Sequence, residues 1–161
     1  GARALAQQLG IPVPEATRFI AEYFRTHAGV DKFLKQMVAD ARQKGYAETI
    51  LGRRRRLPAL TAGEGRARAD SERAAINTPI QGSAADLIKV AMIRLAHDLE
   101  ARGLEAKLVL QVHDELLVEA PEAEVEVARV AVEQAMTTAI ALSVPLEVQT
   151  GVGMSWLEVH G

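Results

Sequence analysis

Two β-prone runs, Lys107–Val112 and Glu115–Glu119, stand two residues apart, and nearly everything around them repeats at helical spacing. A two-residue link leaves room only for a tight antiparallel hairpin. An isolated two-stranded hairpin is marginal in water, so helices must cover one of its faces. These constraints predict an α+β fold, with helices packed on a small antiparallel sheet. Val144–Val152 reads as a last strand, with Trp156 packing beyond it. About three strands is few for so many helices, which predicts that a further strand comes from elsewhere.

The helices follow from apolar stripes. Residues 1–9 form the first, ended by Gly10 and the Pro12/Pro14 pair, and Pro14 suits the first turn of a second. Ala16, Phe19, Ile20, Tyr23 and Phe24 make its stripe, which Gly29 interrupts. Val30, Phe33, Leu34, Met37, Val38 and Ala41 make the next, with Gly45 just past its end. Tyr46–Leu51 is short and β-prone. Gly, Arg and Ala dominate residues 61–68, which read as a loop between two subdomains. Helix resumes near Ser71, is distorted at Asn77-Thr78-Pro79, and continues from Gln81 to about Arg102. Its buried face is Ala84, Leu87, Ile88, Ala91 and Leu95, and Gly103 ends it. Pro121 starts the last long helix, with Val125, Val132, Met136 and Ile140 on one side.

At 161 residues and 48% hydrophobic content, the chain is one ordinary domain's worth of material with a real core. It has no run of about 18 uncharged apolar residues, so it offers no membrane span. No cleavable leader is visible. With no cysteine, disulfides, zinc fingers and thiol nucleophiles are excluded. That absence fits a reducing compartment.

The net charge of −2 conceals an asymmetry. Arg42–Arg73 holds nine bases against four acids, a local +5, and the remainder carries −7. From Val112 onward there are nine acids and one base, Arg129. A basic middle and an acidic end fit a phosphate-facing surface beside a site for cations. A solvated arginine-rich loop explains the same numbers.

Three segments can carry chemistry. Val112-His113-Asp114-Glu115 sets carboxylates on a hairpin tip, and hard cations such as Mg²⁺ take oxygen ligands of this kind. Aspartate is also a common turn residue for local reasons. Thr49-Ile50-Leu51-Gly52-Arg53-Arg54-Arg55-Arg56 joins a glycine that permits close approach to forked donors that match phosphate. An exposed loop without a ligand has the same composition. In Arg73–Asp86, Arg73 and Asn77 share a helix face and Gln81 continues the line. Such side chains can read minor-groove acceptors, which occur at every base pair. Helix capping around Pro79 and a tight helix–helix seam are the structural alternative.

Taken together, in this order and spacing, these segments resemble family A DNA polymerases of the bacterial DNA polymerase I type. The likeness rests on Tyr46-x-Glu48-Thr49-x-x-Gly52-Arg53-Arg54, then Arg73-x-x-x-Asn77-x-Pro79-x-Gln81-Gly82-x-Ala84-Ala85-Asp86, then Leu110-Gln111-Val112-His113-Asp114-Glu115-Leu116. Val144-Pro145-Leu146 and Gly151-x-Gly153-x-x-Trp156 are similar too, so the likeness covers essentially the whole chain. It implies template-directed addition of deoxynucleotides to a primer 3′ end, with two Mg²⁺ ions in the complete site. Asp114 would ligate magnesium and Glu115 would support it. His113 would lie near the primer terminus. Arg73, Asn77 and Gln81 would contact template–primer backbone and minor groove, and Arg53, Arg54 and Arg55 would lie near DNA phosphates. Arg56 stands where the family often has an aromatic residue. The implied partners are a DNA primer-template and deoxynucleoside triphosphates, with no membrane, in a bacterial cytoplasmic, nucleoid-associated setting.

The resemblance also marks what the sequence lacks. An Asp-Tyr-Ser-type motif with the second metal-binding aspartate does not occur, nor does a fingers helix with Lys and Tyr-Gly for the triphosphate. Thumb and exonuclease segments are missing as well. Gly1 aligns a few residues after the Tyr-Gly. The expectation is a C-terminal fragment: part of the fingers over 1–60 and the C-terminal part of the palm over 61–161. Alone it should lack polymerase activity, and it should self-associate or dock with the missing N-terminal part. Two other readings stay open. One is a stand-alone nucleic-acid-binding module using Arg53–Arg56, Arg73, Asn77 and Gln81. The other is a metal-dependent phosphohydrolase centred on His113, Asp114 and Glu115, with Asp86 or Glu119 as a second ligand.

Overall fold

Eight helices and four short strands build the chain in the computed structural model, which describes residues 1–160. The fold is α+β. By their contacts the residues form two compact units: Gly1–Glu48 with Gly52–Pro79, and Thr49–Leu51 with the residues from Ile80 onward.

The first unit holds α1 (Ala2–Leu9), α2 (Val13–Thr26), α3 (Ala28–Lys44), β1 (Tyr46–Glu48), β2 (Arg54–Arg56), α4 (Ala59–Ala62) and α5 (Gly65–Asn77). Pro14 lies in the first turn of α2, as its fixed φ favours. The break between α2 and α3 falls at His27, slightly before the expected Gly29. Gly45 ends α3 at φ 77, donating its N–H to the Ala41 carbonyl at 2.9 Å. That left-handed turn, cheap only for glycine, sends the chain into β1. Gly52, at φ 83, lies between β1 and its antiparallel partner β2. The core here is Ala41, Ala47, Leu57, Leu60, Ala74 and Ala75, a set small enough for α3, α5 and β1 to approach closely.

Two sequence expectations fail in this unit. Residues 61–68 are not a loop, because α4 covers 59–62 and α5 begins at Gly65. Alanine and arginine are strong helix formers, and their propensity outweighs the glycines. The α2–α3 stripe is only partly core: Ala16 is fully buried, but Phe19, Tyr23 and Phe33 are more than half exposed.

A five-residue π-helical turn at Thr78–Gly82, whose first two residues belong to the first unit, leads into α6 (Ser83–Ala101) of the second. This is the distortion that Pro79 dictates, since proline has no N–H for the α-helical ladder. Ile88, Ala91, Leu95 and Leu99 are its buried face, whereas Ala84 is exposed. β3 (Lys107–Val112) and β4 (Glu115–Glu119) pair as Lys107↔Glu119, Leu108↔Val118, Leu110↔Leu117, Gln111↔Leu116 and Val112↔Glu115. The extra residue is Val109. This bulge puts Leu108 and Val118 on the inner face and turns Leu110 outward. A short 3₁₀ turn at Glu122–Glu124 precedes α7 (Val125–Thr137). Leu95 and Leu99 of α6 pack with Ala128, Ala131 and Ala135 of α7, and Leu108, Leu116 and Val118 close that core.

The expected strand at Val144–Val152 is absent: among the described residues this segment pairs with no strand. Its β-branched residues supply propensity, but a strand exists only against a partner's edge. Trp156 opens a short α8 (Trp156–His160) and is half exposed. Among the described residues, no helix is long and apolar enough to cross a membrane.

Candidate functional site

Leucines and valines of β3 and β4 hold a hairpin rigidly on α6 and α7, and its two-residue turn carries His113 and Asp114. His113 has φ 53, the only non-glycine positive φ among the described residues. A left-handed L-residue costs roughly 1–2 kcal/mol. The turn is braced by the Gln111 side-chain amide, which donates to the His113 carbonyl. His113, Asp114 and Glu115 all face solvent. The Asp114 carboxylate has no ion pair or side-chain hydrogen bond to any described residue. Asp114 and Glu115 line an open cleft of about 1020 Å³ that Arg129, Glu147, Val152 and Trp156 border on its other sides.

Asp114 and Glu115 offer the hard oxygens that Mg²⁺ prefers, and Mg²⁺ usually takes one or two carboxylates plus phosphate and water. They fit in kind, yet they are too few to form a closed protein cage. No three His, Asp or Glu groups among the described residues are placed to hold a metal ion. Asp86 and Glu119 therefore do not complete a metal cluster with the hairpin, which weighs against the phosphohydrolase reading.

Asp86 has a different surrounding. It is 7% exposed in the first turn of α6 and accepts from the Thr49 hydroxyl, itself 5% exposed. Alongside, the Ile50 N–H donates to Ser83 Oγ at 2.8 Å. This clasp explains why Thr49–Leu51 belongs to the second unit. The sequence offered Asp86 as a candidate second metal ligand, and nothing local named Thr49 as its partner.

The arginine run is less uniform than it reads. Arg54–Arg56 form β2, exposed throughout. Arg54 Nε donates to Glu48 at 2.6 Å, and its guanidinium lies over the Tyr46 ring at 4.6 Å. The Glu48 hydrogen bond raises its pKa above the ordinary arginine value. Arg54 is thus occupied within the hairpin, whereas Arg55 and Arg56 have no ion pair among the described residues. Tyr46, Glu48 and Arg54 share a β face through alternation.

Arg73 and Asn77 lie on α5 and Gln81 lies in the π-helical turn, all three exposed. Asn77 and Gln81 have no side-chain hydrogen bond to described residues. Arg73 pairs with Asp70, three residues earlier. The sequence reading counted the α5 carboxylates in the local charge and did not pair Asp70 with Arg73.

Residues 1–158 match the family described as DNA polymerase family A. The chain is 47% identical over 154 residues to DNA polymerase I of Bacillus subtilis, covering 96% of this chain and 18% of that protein. It is 44% identical over 160 residues to the thermostable DNA polymerase I of Thermus thermophilus, covering 99% and 19%. A solved structure, the POL domain of Pol1 from M. smegmatis in complex with DNA primer-template and dNTP, superposes with a TM-score of 0.94. That match has 46% identity and spans all of this chain and 28% of the other. The chain thus spans less than a fifth of the length of these curated relatives. With a family match over nearly its full length, this chain belongs to DNA polymerase family A.

Proposed function

We propose that this region is the C-terminal part of the polymerase domain of a DNA polymerase I, with residues 1–60 in the fingers and 61–161 in the palm. That division follows the family resemblance; the compact units part at Pro79 and Ile80. In the complete enzyme it would serve addition of deoxynucleotides to a primer 3′ end, with a DNA primer-template and deoxynucleoside triphosphates as partners. The carrying observation is Asp114: a solvent-facing carboxylate with no partner among the described residues, fixed on a strained, braced turn.

Asp114 would hold Mg²⁺, and Glu115 would support it from the adjoining strand. When bound, a pair of such ions supplies charge neutralisation at the phosphates and a more acidic primer 3′ hydroxyl. His113 would lie against the primer terminus. Exposed Asn77 and Gln81 would offer amide groups to minor-groove acceptors, and Arg73 with Arg53 and Arg55 would meet phosphates. Arg54 would act mainly by holding the β1–β2 hairpin that presents its neighbours.

Because one carboxylate pair cannot replace the family's second aspartate motif, this chain alone should not extend a primer. In the complete polymerase, Asp114→Asn should lower kcat on the order of a hundredfold or more, with the thermal midpoint unchanged. Magnesium-dependent extension by this chain alone, lost in Asp114→Asn, would overturn the fragment reading. Full activity of the variant polymerase would overturn the role of Asp114.

A further inference from the structure

Four arginines and two carboxylates interlock on and beside α5, in two distinct ways. Glu72 receives Arg42 of α3 at 3.0 Å and Arg68 at 3.5 Å, tying two helices together. Among the described residues, Asp70 bridges only those of its own helix: Arg73 donates to one of its oxygens, and Arg66 lies 3.9 Å from the other. Both members of the Asp70–Arg73 pair are more than half exposed at their side chains, at 53% and 67%, so an outside phosphate can reach the guanidinium.

We propose that Asp70 is a positioning residue for DNA binding. It holds the Arg73 guanidinium in an ion pair that a DNA phosphate must displace, and so sets how tightly the primer-template is gripped. This rests on the reading of Arg73 as a phosphate-contacting residue. The guanidinium fork matches a carboxylate and a phosphate alike, and the same donors cannot serve both in full. Asp70 also keeps a negative charge beside the incoming phosphate. An exposed pair three residues apart on a helix is weak, so it delays the exchange without preventing it. Glu72 cannot take the same part, because releasing it would loosen α3 from α5.

The test is a double-mutant cycle in the complete polymerase, with dissociation constants for primer-template measured across a salt series. Asp70→Asn should tighten binding about two- to five-fold at low salt, with the gain fading as salt rises. Asp70→Glu should return affinity toward the parent value. In an Arg73→Ala background, Asp70→Asn should tighten binding clearly less, because only the removal of a like charge remains. No tightening overturns the proposal, as does equal tightening in the Arg73→Ala background, where only general charge would act. If Arg73→Ala itself leaves DNA affinity and its salt slope unaltered, the phosphate-contacting reading of Arg73 fails first. The pair is exposed, so the variants should melt with the parent.

Discussion

At the scale of single residues, the turn at His113-Asp114 shows how function and stability pull apart. A histidine at φ 53 is disfavoured, and glycine would adopt that backbone without the penalty. His113→Gly should therefore leave stability equal or higher, by up to about 1 kcal/mol, while lowering primer extension by the complete polymerase. Thermal melting and steady-state kinetics on the same preparation check both halves. A stability loss with activity retained would mean that the imidazole serves packing alone. The arginine run separates by the same logic. Arg55→Ala should lower the salt slope of DNA binding by about one contact. Arg54→Ala should instead free Tyr46 and Glu48 and loosen β1–β2, visible as faster amide exchange at Tyr46–Glu48.

Elements are held by a few well-defined contacts. Leu95 is fully buried between α6 and α7, so Leu95→Ala should cost about 2–5 kcal/mol in chemical denaturation. Glu124 is less obvious. Its carboxylate accepts the Glu105 N–H at 3.1 Å and the Ala106 N–H at 2.9 Å, satisfying two donors where the chain enters β3. Glu124→Ala should cost about 1–3 kcal/mol by stranding them, with the loss of amide protection concentrated at β3. The sequence could not name this contact, since charge and spacing make Glu124 look like any surface acid. It did name the hairpin with the right ends, because β-prone composition and a two-residue link are local signals. The helix distortion at Pro79 was equally legible, as proline's missing donor acts within one turn.

For the whole molecule, the telling feature is apolar surface left outside both cores. Phe19, Tyr23 and Phe33 in one unit, and Val109 and Leu110 in the other, are each about half exposed or more. Residues 144–152 have strand-forming composition and no partner among the described residues. Patches and open edges of this kind drive association. The isolated chain should therefore sediment as more than a monomer. Co-expression with the preceding polypeptide of a full-length relative should convert it to a single defined complex. A monodisperse monomer at high concentration would contradict this. Loss of association on Val109→Lys would place the contact on the hairpin.

By itself, the sequence determined what acts over a few residues: the hairpin and its acidic tip, most helix ends, the proline distortion, the charge asymmetry, and the spaced motifs that mark family A. Only the tertiary structure decided what depends on distant partners. It placed Thr49 on Asp86, laid the Arg54 side chain against Tyr46 and Glu48, made helix of residues 65–68 and left 144–152 without a strand partner among the described residues. The physical reason is range. Backbone propensity and periodicity are written within one or two turns, whereas a buried hydrogen bond or a strand needs a partner whose place in the chain its own residues do not encode.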